Sequence, residues 1–376
     1  MDLILRGGHV IDPGQGLDGV MDVGFAGGTV AAVAERLEAP EAKIQDVSGL
    51  IVTPGLIDLH THVYWGGTSL GVDADALGAR TAVTTMIDTG SAGPGNFAGF
   101  RTHVIERAET RILAYLHVSF AGIWGFGREV HVGESEDIRL MAPREAAEVA
   151  AANRDVIVGI KVRVGRHASG DQGLAPLGFA LQVAEEVDMP LMAHIDEPPP
   201  SYAEVLETLR PGDVLTHAFR PFPNAPVIGG QIRPEVRAAR ERGVIFDIGH
   251  GMGSFSFAVA RAMLAGGFAP DTISSDVHSL CIDGPAYDQL VTMSKFLCLG
   301  MSLSDVIAAS TVAPARALGR PDLGTLRPGA AGDASVVTVD SGVFDYRDVL
   351  GAVLAGDLRI APRGMVRKGV WHGIAL

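Results

Sequence analysis

A chain of 376 residues, 47% of them hydrophobic, can bury a large core, and it is long enough for one α/β domain with an accessory domain or for two ordinary domains. Acidic residues outnumber basic ones by 44 to 30, and the resulting net charge of −14 disfavours nucleic-acid and anionic-membrane surfaces. Two cysteines, Cys281 and Cys298, exclude a disulfide framework and lie in no Cys-x-x-Cys pair, so reduced core thiols are expected.

The opening MDLILRGGHVIDPG has no basic stretch leading into an apolar run and cleavage site, and no apolar run is long enough to span a bilayer, which predicts a soluble cytoplasmic protein. Three short strands follow from LILRGGHVID, DVGFAGGTVAAVAE and KIQDVSGLIV, each bounded by Gly, Pro or Asp. Beyond Pro328, DASVVTVD and MVRKGVWHG have the same character. Residues 1–52 and 326–376 are therefore expected to pair into a small β-sandwich. They flank a central unit, 53–325, close to the usual length of a (β/α)8 TIM-type barrel.

Within that unit apolar strands alternate with helical patterns, the mark of an α/β fold with a parallel sheet. The predicted strands are 56–62, 82–89, 111–119, 156–162, 190–195, 213–218, 243–248 and 272–276, the eight that a barrel requires. Helical stretches fall between them, including PREAAEVAAANRD, PEVRAARERG and FSFAVARAMLAGG, and SLSDVIAASTVAPARALG closes the barrel after the eighth. The insert GIWGFGREVHVGESED reads as a mobile loop over the site. No short repeat or low-complexity tract interrupts the pattern.

Polar residues interrupt these strands at their carboxyl ends: His60 and His62 on the first, Lys161 on the fourth, His194 on the fifth, His217 on the sixth and Asp276 on the eighth. Barrel enzymes build active sites at that rim from several strands. His60 and His62, two apart, share one strand face. A single strand-end histidine is usually structural, and His-x-His alone is a weak signal, but six costly interruptions at one end of one barrel are a strong one. Four imidazoles and a carboxylate suit two divalent metal ions, zinc first, with Mn2+, Co2+ or Fe2+ as substitutes.

Lys161 sits in the apolar run VIVGIKVRVG. If it is neither exposed nor salt-bridged, burial beside two cations favours the neutral amine. Such an amine can add carbon dioxide, and the carbamate bridges metals about 3.5–4 Å apart. His60, His62 and Asp276 then hold one metal and His194 and His217 the other. Arg163 shares a strand face with Lys161, where its planar fork either holds a substrate carboxylate or makes an ordinary ion pair. His250, in DIGHGMGSFSF, and Tyr64 are further candidates for contact with a small-molecule substrate. His117 reads as structural, and His131, His167 and His278 have no comparable positional support.

TPGLIDLHTH, the lysine of the fourth strand, the histidines of the fifth and sixth, SSD on the eighth and the split β domain resemble the amidohydrolase superfamily in its binuclear, carbamylated-lysine form. Further stretches, TTMIDTGSAGPGNFAGFR, GIKVRVG and SKFLCLGMSLSDVI among them, look like its amidohydrolase/deacetylase branch. The resemblance implies hydrolysis of acylated small acids such as O-acetyl α-hydroxy acids, with Asp276 as proton shuttle. Members of that branch often carry a dihydroorotase label, but dihydroorotases usually follow His-x-His with an arginine, and here Val63, Tyr64 and Trp65 follow. Single-metal deaminases lack the bridging lysine. The expected activity is metal-dependent cleavage of an ester or amide of a small carboxylated molecule. Cyclic-amide hydrolase, deaminase and non-catalytic scaffold are the alternatives, and a homo-oligomer is compatible with the sequence.

Overall fold

A computed structural model describes residues 1–374, so the last two residues of the expected 326–376 segment lie outside it. The chain begins with strands β1 (Leu3–Asp12), β2 (Leu17–Ala26), β3 (Thr29–Ala34), β4 (Lys43–Asp46) and β5 (Ile51–Pro54). The central strands are β6 (Leu56–Thr61), β7 (Val83–Thr89), β8 (Arg111–His117), β9 (Ile157–Val164), β10 (Leu191–Ile195) and β11 (Val214–Leu215). A two-residue hairpin, β12 (Val227–Ile228) and β13 (Gln231–Ile232), precedes β14 (Ile245–Phe246), and the chain closes with β15 (Ala334–Arg347), β16 (Val353–Arg367) and β17 (Val370–Gly373).

The strands of the two ends pair with one another, β5 running antiparallel to β15 with Val52 opposite Val336. They make one hydrogen-bonded sheet of order β17-β16-β15-β5-β1-β2-β3, with β4 also on β1, where the sequence reading expected a sandwich. Leu5, Val10, Phe25, Val52, Val336 and Val366 form its core.

The second sheet, β14-β11-β10-β9-β8-β7-β6, is parallel throughout and carries the TIM-type barrel, with helices between its strands. Every residue of β9 is buried, as expected for a β-branched strand covered on both faces. Local signals place the helices: Pro143 opens Pro143–Ala152 at a position needing no N–H donor, and Ser201 with Glu204 forms a reciprocal capping box on Tyr202–Thr208.

The expected eighth strand is not regular. Residues 272–277 touch each edge of the sheet through one bridge, Asp247 to Thr272 and Thr61 to Val277. Gln289 supplies what the missing ladder does not: its fully buried Nε2 donates to the carbonyls of Ile57 (2.7 Å) and Ile273 (3.1 Å), on opposite sides of the seam. The same seam breaks the closing helix. The backbone N–H groups of Ile273 and Ile57 donate to Ala309 and Ser310, so the expected single helix divides into Leu303–Ala308 and Val312–Ala317. Cys281 is buried and Cys298 half-buried, and both thiols are free. No helix among the described residues is long and apolar enough to cross a membrane.

Replacing Gln289 by Leu strands two buried carbonyls, and stability in denaturant titration is expected to fall by about 2–4 kcal/mol. Unchanged stability would show that the seam does not need these bonds.

Candidate active site

The carboxyl ends of the barrel strands surround a cavity of about 270 Å³ whose wall includes His60, His62, Lys161, Arg163, His194, His217 and Asp276. The Nε2 atoms of His60 and His62 lie 3.3 and 3.2 Å from the same oxygen, Oδ1 of Asp276. Donor atoms of these three residues fall within 4.8 Å of one another, close enough to share one ion. The other two imidazoles continue the cluster: ring centroids are 5.1 Å apart for His60 and His217 and 4.4 Å for His217 and His194.

Hydrogen bonds behind the rings set their tautomers. The Thr216 hydroxyl donates to Asp247 Oδ2 (2.8 Å), so its oxygen accepts from Nδ1 of His60 (2.7 Å) and leaves the His60 Nε2 lone pair facing the cavity. The carbonyl of Gly249 accepts from Nδ1 of His217 (2.7 Å), with the same result, and Ser91 Oγ lies 2.9 Å from Nδ1 of His62. Metal-ligating imidazoles are oriented in this way by a partner on the far nitrogen. Burial first, with neighbouring positive groups, pushes the pKa of His60, His194 and His217 well below the ordinary imidazole range, so all three are neutral ligand-type bases.

Lys161 is fully buried and its Nζ has no hydrogen-bond partner. Burial lowers its pKa to about 7, and the same cause raises Asp276 to about 6. Nε2 of His194 also lacks a hydrogen-bond partner. An unpartnered buried amine and imidazole beside a shared carboxylate oxygen are costly unless something else occupies the space between them. The imidazoles and the carboxylate have the donor chemistry that divalent cations take.

The backbone is bent to make this arrangement. His217 (φ +65°) and Asp276 (φ +48°) both adopt left-handed conformations that side chains rarely take, a feature concentrated at functional sites. Glycine is needed opposite them. A Cβ on Gly249 would come within 2.3 Å of Thr216 Oγ1, and one on Gly251 within 2.1 Å of Asp276 Oδ2.

His250, between those glycines, does not line the cavity. It is fully buried, stacked on Phe255, with Nε2 2.7 Å from the Lys295 amine. Tyr64 is likewise turned away, packed against Phe100 at a centroid distance of 4.5 Å with its hydroxyl toward the Asn96 carbonyl. Both expected substrate contacts are therefore corrected: the glycines of DIGHGMG, rather than its histidine, serve the site. Arg163 does reach the wall, but it pairs with Glu134 (3.4 Å) and stacks on Phe126 (5.0 Å). Phe126 and Glu134 come from the insert, which lies over the cavity and adds His131 to its wall.

Several residues escaped the sequence reading. His278 lines the cavity two positions beyond Asp276, a spacing that could have marked it as His60 marks His62. Asp247 is a buried carboxylate on the seventh strand that accepts from Thr216, Thr272 and Ser274, a polar interruption of the kind already noted on other strands. His167, on the short helix Arg166–Ser169, and Arg220, on a loop, had no strand pattern to show them.

The amidohydrolase family profile matches residues 229–365. A protein named deacetylase from Agrobacterium fabrum is 39% identical over 291 residues, 77% of this chain and 70% of that one. The chain belongs to the amidohydrolase superfamily. It is a hydrolase of the deacetylase and dihydroorotase-like branch, in a superfamily whose members typically depend on divalent metals. A solved structure described as a dihydroorotase is similar across 99% of this chain and 98% of its own, at 33% identity and a TM-score of 0.91. One described as an adenine deaminase is similar across 99% of both chains, at 28% identity and a TM-score of 0.92.

Thr216→Val removes the support of His60 while keeping its shape. Zinc affinity, read by chelator competition, is expected to fall about 10- to 100-fold with the fold intact. Unchanged affinity would assign Thr216 to packing alone.

Proposed function

We propose that the protein uses two divalent cations, zinc first among them, to hydrolyse the ester or amide bond of a small acylated carboxylic acid. The observation that carries this reading is Lys161, a buried amine without a hydrogen-bond partner on a strand that faces four imidazoles and one carboxylate. The likeness to a protein named deacetylase supports acyl transfer to water.

In this reading His60, His62 and Asp276 would hold one cation and His194 and His217 the other, and Lys161, as its carbon dioxide adduct, would add an anionic ligand to the pair. When bound, the cations supply Lewis acidity at the acyl carbonyl and an activated water. Asp276 takes the proton of the attacking water and returns it to the departing alkoxide or amine, so the carboxylate ends the cycle as it began. The insert, through Phe126 and His131, narrows access of bulk water.

A cyclic-amide hydrolase is the second reading, favoured by the likeness to a structure described as a dihydroorotase. Against it stands the segment after His62. Val63 is buried, Tyr64 packs on Phe100 and Trp65 is exposed, so none brings a cation to the cavity as the dihydroorotase arginine does.

Turnover by the zinc-loaded protein on matched N-acyl amino acids, O-acyl hydroxy acids and cyclic imides decides between them. Activity on the open-chain acyl compounds is expected, activity confined to imides would overturn the proposal, and ammonia release from a purine would replace it with deamination. On an accepted substrate, Asp276→Asn should lower kcat by roughly 1,000-fold while retaining much of its metal. Unchanged turnover in the metal-replete variant would remove Asp276 from proton transfer.

A further inference from the structure

Two guanidinium groups face the cavity, and they differ in how far their charge is already met. Arg163 is matched within the protein: Glu134 pairs with it at 3.4 Å, Phe126 covers it, and the other oxygen of Glu134 lies 3.2 Å from buried His117. Arg220 has no such partner. It is 7% exposed, its Nη1 donates to the backbone carbonyl of Asp196 (2.6 Å), and its buried Nε has no hydrogen-bond partner.

No ion pair among the described residues involves Arg220. Asp196 lies nearby, but its carboxylate is engaged elsewhere: Oδ1 and Oδ2 each accept a backbone N–H, from His167 and Ala168 at 3.1 Å, and Oδ2 is 3.5 Å from Nε2 of His194. A tight turn, in which the Arg220 N–H donates to the His217 carbonyl (3.2 Å), holds the arginine on the His194 and His217 side of the cavity. A buried guanidinium with donors to spare is a costly arrangement that an incoming anion relieves, and its planar fork matches a carboxylate.

We infer that Arg220, rather than Arg163, binds the carboxylate of the substrate. The inference rests on the reading of the protein as a hydrolase of acylated carboxylic acids and makes that acidity a requirement of recognition. It also assigns sides to the cavity: the carboxylate lies toward His194 and His217, and the acyl group toward His60, His62 and Asp276. Arg163 with Glu134 then forms a fixed wall, so the expectation that its fork grips the substrate is replaced by the ion pair.

The test compares O-acetyl-lactate with its uncharged counterpart O-acetyl-lactamide, using the zinc-loaded wild type, Arg220→Gln, Arg220→Lys and Arg163→Gln. The ratio of kcat/KM, acid over amide, is expected to fall about 100-fold in Arg220→Gln, mainly through KM, and about tenfold in Arg220→Lys, which keeps charge but loses the fork. In Arg163→Gln the ratio should change by less than about threefold, because Arg163 is already paired within the protein. Lactate binding, followed by calorimetry, should weaken in parallel in the two Arg220 variants. Equal loss on both substrates in Arg220→Gln would reduce Arg220 to a support for Asp196, and a fall in the ratio that follows Arg163 would overturn the assignment. Should the glutamine variant fail to fold, an unchanged ratio and unchanged lactate binding in Arg220→Lys contradict the inference equally. A wild type inactive on both esters points to failure of the substrate reading, and lactate calorimetry still judges Arg220.

Discussion

A primary amine buried without a partner is the constraint on which this site turns. Lys161 lies in a strand every residue of which is buried, and its nitrogen makes no hydrogen bond. An ammonium there is poorly tolerated, and burial accordingly brings its pKa down to about 7. A neutral amine at that place gains a function once it becomes an anionic ligand. In the proposed reading the lysine links an ordinary barrel strand to metal chemistry, with the four imidazoles around the cavity as its complement.

The remainder of the barrel end holds these groups still. Asp247 collects hydroxyl donors from Thr216, Thr272 and Ser274, and through Thr216 it fixes His60. Ser274 accepts the Gly249 N–H, whose carbonyl in turn fixes His217. One buried carboxylate thus reaches imidazoles on two strands. Left-handed turns at His217 and Asp276 sit at the rim, where the sixth and seventh strands are only two residues long and the eighth is reduced to single bridges. Regularity is given up where the site is built, and Gln289 restores part of the lost bonding at the seam. A fold shared with structures described as a dihydroorotase and an adenine deaminase does not select the reaction. The residues around the cavity must do so.

Much of this was legible in the chain because a polar residue inside an apolar strand is conspicuous. His60, His62, Lys161, His194, His217 and Asp276 all stood out in that way, and the structure brings them to one cavity. Legibility ended with the strands. Beyond a strand end the chain turns, and period-two alternation no longer says which way a side chain points, so Tyr64 and His250 were expected at the cavity but pack on Phe100 and Phe255 outside its wall. Arg220 was silent for the same reason. Thr216 and Asp247 could be seen as residues, yet their service to His60 depends on contacts across strands that no local pattern records. Pairing of the two chain ends followed from their matching strand character, whereas the hydrogen bonding that joins them in one sheet did not.

The central claim is that Lys161 functions as a carbon dioxide adduct, and isotopic labelling tests it most directly. Protein reconstituted with zinc in carbon-13 bicarbonate is predicted to show one carbamate carbon resonance per chain, absent from Lys161→Ala. A metal-replete, active wild-type protein without that resonance would contradict the account.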